Sequence, residues 1–148
     1  MRIVNAKSEK VWVVFMPHNI KDGKTCWERV FCWVLSKLHK NFSHVVVFKR
    51  SIYPGNVIAV NTCSNNISIE ELSLKQLFGI LTNTNNTAVV ADIQIAPIKA
   101  KGLLTCVSVA KSILGVTKAS IITPYQLYKY LKGKENGRKE SQTKHADR

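Results

Sequence analysis

The apolar and polar positions of this chain change period several times, and each change marks an element. Val11-Trp12-Val13-Val14-Phe15 is an unbroken β-branched and aromatic run ended by Met16-Pro17-His18-Asn19, which predicts a first strand. A polar loop, Lys21 to Lys24, leads to Thr25 as N-cap, and Glu28 completes a capping box. From Cys26 to about Lys40 the apolar residues Trp27, Val30, Phe31, Val34, Leu35 and Leu38 repeat at helical spacing, with Arg29, Lys37 and Lys40 on the other face. Val45-Val46-Val47-Phe48 is apolar at consecutive positions and predicts a central strand covered on both sides. Pro54-Gly55 marks a hairpin connection to a returning strand, Val57 to Thr62.

The second half is read in the same way. Ile67-Ser68-Ile69 fits either a short strand or the approach to a helix, and Ser73 to Leu81 predicts that helix. Thr82 to Asn86 is a loop by composition, and Ala88 to Ile95 is a strand ended by Ala96-Pro97. A helix from about Gly102 to Leu114 stops at Gly115. Ala119 to Ile122 fits a brief strand or an extended lead. Thr123-Pro124 then starts a last helix, Tyr125 to Leu131. The sum is an α+β domain: a small, mostly antiparallel sheet packed with helices.

The chain has 148 residues, enough for one domain with a real core. We place that single domain at residues 1–131. Residues 132–148 carry many charges and almost no apolar side chains, and are expected to form a basic mobile tail. The formal net charge of +13 gives attraction to polyanions, through surface and tail. Yet no segment concentrates Lys and Arg on one helix face with aromatic partners. No segment approaches the roughly 18 apolar residues of a membrane span. The first residues lack the apolar core of a signal peptide, so synthesis and folding in a cytoplasm are expected, with release by lysis or packaging in a virion left open.

None of the four cysteines, Cys26, Cys32, Cys63 and Cys106, forms a CxxC pair, which argues against a zinc knuckle or a thioredoxin-like site; no metal or cofactor is implied. Cys26 and Cys32 fall in the apolar helical pattern and read as small core residues. Cys106 lies in the first turn of its helix, where the dipole favours thiolate; a buried cysteine among Leu103, Leu104, Val107 and Val109 fits the same position. Cys63 is a weaker candidate. His44 opens a strand and can face a cleft as a general base, or bond the backbone as an ordinary loop histidine. His18 and His39 have poorer contexts, and His145 lies in the tail. A third residue should orient the imidazole. Strand alternation puts Asn61 on one face with Val57 and Ala59; Asp92 and Gln94 are alternatives.

The order of these elements resembles the circularly permuted branch of the NlpC/P60 papain-like superfamily, in which the histidine strand precedes the cysteine helix. Ser43-His44-Val45 after an amphipathic helix is similar to that branch's histidine-strand opening. Thr105-Cys106-Val107-Ser108 is similar to its nucleophile helix. Ile122-Thr123-Pro124-Tyr125-Gln126-Leu127-Tyr128 resembles compact, phage-encoded relatives. The resemblance spans roughly residues 11 to 131. It implies a permuted papain-like architecture with Cys106 as nucleophile and His44 as base. It also implies a peptide, peptidoglycan or acyl substrate. Many permuted members place an acid on the strand after the histidine strand. Val57 to Val60 holds none, and Asn61 is the nearest polar residue.

The expected activity is therefore that of a thiol-dependent peptidase or amidase. The competing readings are a papain-like accessory or virion protein that has lost catalysis, and a basic module that binds nucleic acid or another polyanion.

Overall fold

The computed structural model describes residues 8–17, Val34, Lys37, 39–63, 66–94 and 105–146. Five strands form one sheet: β1 (Ser8–Met16), β2 (His44–Arg50), β3 (Asn56–Cys63), β4 (Asn66–Ser73) and β5 (Thr87–Gln94). Their spatial order is β4-β3-β2-β1-β5, and every neighbouring pair is antiparallel. Three helices accompany them among the described residues: α1 (Leu74–Thr82), α2 (Cys106–Leu114) and α3 (Pro124–Ala146). The α+β class and the antiparallel sheet are as the sequence predicts. The predicted helix Cys26–Lys40 lies outside the described residues except at Val34 and Lys37, which are helical, and at His39 and Lys40, which lie beyond the helix.

The consecutive apolar run of β2 has the predicted consequence. Val45, Val46, Val47 and Phe48 are all buried, because the central strand is covered on both faces. Val45 and Val47 join Val11, Val13, Phe15 and Val89 in one cluster, roofed by Val107 and Ala110 of α2 and by Leu127 and Leu131 of α3. Val46 and Phe48 join Val14, Val57 and Ala59 in a second cluster on the opposite face, with Leu77 of α1. Strand alternation sorts these side chains between two cores.

The β2–β3 hairpin turns through Pro54 and Gly55. Gly55 sits at φ +87°, a conformation that suits glycine. Asn56 N–H donates to the Tyr53 carbonyl at 3.2 Å to close the turn. Ile67-Ser68-Ile69 takes its strand alternative as the centre of β4, paired along its length with β3. Ser73 then caps α1, accepting from the Gln76 N–H while the Gln76 side chain takes the Ser73 N–H.

At the C-terminal end, the strand alternative for residues 119–122 is not taken: 119–120 form a turn, the Ile121 N–H donates to the Lys118 carbonyl, and 121–122 lead on without regular structure. The helix after Pro124 does not stop at Leu131; it continues to Ala146, through the stretch expected to be a mobile tail. Thr123 and Gln126 form a reciprocal cap at its start. Lys132 and Glu135 pair one turn apart, and Arg138 pairs with Asp92 of β5. The bond to Glu135 holds the Lys132 proton and raises its pKa. Composition alone does not register such contacts between distant residues.

Leu127 is fully buried between the sheet and α2, whereas Ile122, five residues earlier, is 70% exposed. Leu127→Ala is expected to cost about 2–5 kcal/mol. Ile122→Ala should change stability by no more than about 0.5 kcal/mol. Urea unfolding followed by circular dichroism measures both.

Candidate functional site

Cys106 occupies the first helical position of α2. Thr105 is the N-cap: its hydroxyl accepts from the Ser108 N–H at 3.1 Å, and the Ser108 hydroxyl receives the Thr105 N–H at 2.8 Å. This capping box fixes where the helix begins and so puts the thiol at its positive end. The far end is fixed as well. Gly115 at φ +64° ends the helix, and the Val116 N–H reaches the Lys111 carbonyl at 2.9 Å. The Cys106 side chain is half-buried and packs against the cluster that contains Val45 and Val47.

His44 is the first residue of β2 and lies opposite Met16 of β1. Its Nε2 is 2.6 Å from Asn61 Oδ1 on the adjacent strand β3. An amide oxygen can only accept, so Nε2 carries the proton and Nδ1 is the nitrogen able to take one. A histidine oriented in this way has a defined tautomer and ring position, as a general base requires. Both residues are half-buried. Asn61 is thus the partner of His44 among the three orienting candidates, as strand alternation suggests.

The other two candidates belong elsewhere. Asp92 pairs in register with Lys10 near the start of β1, and its carboxylate holds Arg138. His44 faces Met16 at the other end of β1, six residues away, or about 20 Å along a strand. Gln94 lies in register with Ser8, farther still. His39 stacks on Tyr125 of α3 with ring centroids 3.6 Å apart, beside Phe42. That contact ties the approach to β2 against α3. Its signal in the sequence was only the aromatic content of two distant segments. His18, Cys26 and Cys32 lie outside the described residues, as do the side chains of Cys63, Gln94 and His145.

The direction of α2 relates Cys106 to this pair. Its C-terminal end, with Leu114 and Val116, lines a cavity together with Lys10 and Asp92, which mark the start of β1 and the end of β5. The helix packs on β2, β3 and β5. Its N-terminal end therefore points to the opposite end of the sheet, where β2 opens at His44 and β3 closes after Asn61. The pleat adds a constraint. His44 alternates with Val46 and Phe48, and Asn61 with Ala59 and Val57, all on the α1 side of the sheet. Cys106 packs on the α2 side. Any contact between the thiol and the imidazole has to be made around the end of the sheet.

Among the described residues, no three His, Cys, Asp or Glu side chains form a metal-binding group. Nor does any described helix have the length and apolarity to cross a membrane. No protein-family model matches the chain, and no match was found among curated proteins or among solved structures.

Removing the N-cap hydroxyl tests how the cysteine helix is anchored. Thr105→Ala should destabilise the protein by about 1 kcal/mol, and Thr105→Ser should retain most of that stability, as measured by thermal unfolding.

Proposed function

We propose that the chain is a thiol-dependent hydrolase of amide or acyl bonds, with Cys106 as nucleophile, His44 as proton acceptor and Asn61 as the residue that orients the imidazole. The observation that carries this reading is the 2.6 Å contact between His44 Nε2 and Asn61 Oδ1. It joins two polar residues 17 positions apart on adjacent strands, at the end of the sheet toward which the N-terminus of the cysteine helix points. The chain order of histidine strand, asparagine strand and cysteine helix agrees with the permuted NlpC/P60 resemblance.

In this mechanism, the proton of the Cys106 thiol passes to His44 Nδ1 and the thiolate attacks the substrate carbonyl carbon. The C–S bond forms as the carbonyl π electrons move to oxygen. Collapse of the tetrahedral species expels the leaving group, which takes the proton from His44. Water then attacks the thioester as His44 accepts its proton, and collapse of this second tetrahedral species breaks the C–S bond, releasing the carboxylic acid and the Cys106 thiolate, which recovers its proton from His44. Asn61 holds the ring through its oxygen, but as a neutral amide it stabilises imidazolium less than a carboxylate does. Because of the pleat, the transfer runs past the end of the sheet, where β2 opens. Peptides, peptidoglycan stems and acyl groups are the substrate classes suited to this chemistry. Synthesis in a cytoplasm, with action after lysis or from a virion, fits such a protein.

A second reading rests on α3. Lys129 Nζ lies 5.7 Å from the Tyr125 ring centroid, and Lys134 Nζ lies 5.0 Å from that of Tyr130. Two lysines thus lie over tyrosine rings one helical turn away, a pairing of basic and aromatic residues that the sequence pattern does not reveal and that favours contact with a polyanion.

Alkylation of Cys106 by iodoacetamide, followed by mass spectrometry across pH, tests the first reading. His44→Ala is expected to slow alkylation at neutral pH by about 10²-fold, and Asn61→Ala by less. Equal rates in wild type and His44→Ala contradict the assignment. For the second reading, oligonucleotide affinity should fall steeply with salt and be unchanged by Cys106→Ala. Lys129→Glu should lower the salt slope by about one. A salt-independent affinity rules that reading out.

A further inference from the structure

A cavity of about 360 Å³ lies at the other end of the molecule from His44. It opens between α3, the C-terminal end of α2 and the outer end of β5, within the size range of small-ligand sites. Its floor is apolar. Val116 and Leu131 belong to the buried core, and Leu114 and Ala91 are half-buried against it.

The rim is charged, and its charges do not balance. Asp92 is held by Arg138, and Glu135 by Lys132, so each acid already has a cation. Lys10, in register with Asp92, and Lys134 also line the cavity, so that with Arg138 three cations face two carboxylates there. Lys134 lies over the Tyr130 ring, which leaves its positive charge unneutralised. An apolar floor beneath a rim of net positive charge suits a ligand with an apolar body and one anionic end.

We propose that this cavity binds an anionic amphiphile, with its alkyl part on Ala91, Leu114, Val116 and Leu131 and its anionic head between Lys10 and Lys134. The site is independent of Cys106 and of the hydrolase reading. The same chemistry is offered by a free fatty acid and by an anionic lipid in a membrane surface.

Calorimetric titration of the full chain with dodecanoate, below its micelle-forming concentration, tests the proposal. Saturable one-to-one binding is expected, with dodecanol weaker by about tenfold or more. The double variant Lys10→Glu/Lys134→Glu should weaken dodecanoate binding by at least about tenfold. Lys40→Glu/Lys75→Glu makes the same change in net charge at exposed positions away from the cavity and should bind as wild type does. Sedimentation with phosphatidylglycerol and phosphatidylcholine vesicles separates the two sources. Retention on the anionic vesicles that is lost in Lys10→Glu/Lys134→Glu assigns the ligand to a lipid surface. Dodecanoate binding without vesicle retention assigns it to a free amphiphile. The proposal is overturned by the absence of saturable binding, by equal affinity for dodecanol, or by an equal loss in both double variants.

Discussion

The burial of β2 on both faces is the constraint on which the rest of this structure depends. Four consecutive apolar side chains, Val45 to Phe48, cannot be served by one core, because the pleat sends them alternately up and down. One layer is therefore built from α2 and α3, and the other includes α1. The same alternation fixes the residues at the strand's opening. His44 inherits the face of Val46 and Phe48, which is also the face of Asn61, and the two meet at 2.6 Å. The packing that makes the core thus also makes the histidine–asparagine pair.

The cysteine helix answers to the other core. Ala110, Val107 and Leu114 hold α2 against the sheet, and the Thr105–Ser108 capping box sets where it starts. Cys106 is therefore placed by two requirements that have nothing to do with catalysis. In the hydrolase proposed above, the proton's route to His44 passes around the sheet end rather than across one face, and Asn61 acts by orienting the ring, since a neutral amide fixes a tautomer without strongly stabilising imidazolium.

Much of this was legible in the sequence because it is written in local pattern. The run at Val45 to Phe48, the Pro54-Gly55 turn and the glycine stop at Gly115 each follow from nearby residues, whereas the Thr105 cap starts the cysteine helix at Cys106, later than the Gly102 that the apolar pattern suggests. Asn61 was legible because strand alternation needs only a parity argument. What the sequence did not show depends on contacts between distant segments. The extension of α3 to Ala146 is accompanied by Arg138 reaching Asp92, 46 positions away, and the stacking of His39 on Tyr125 joins two segments with no shared motif. The opposite sheet faces of His44 and Cys106 were equally hidden, since they follow from which helix covers which core.

The nitrogen NMR of the His44 ring tests the central claim most directly, because it reads the tautomer and the neighbour of the imidazole together. The account predicts a proton on Nε2 in the neutral ring, held by Asn61, and a change in the titration of His44 when Cys106 is replaced by alanine. A neutral ring protonated on Nδ1, or a His44 titration indifferent to Cys106→Ala, would contradict it.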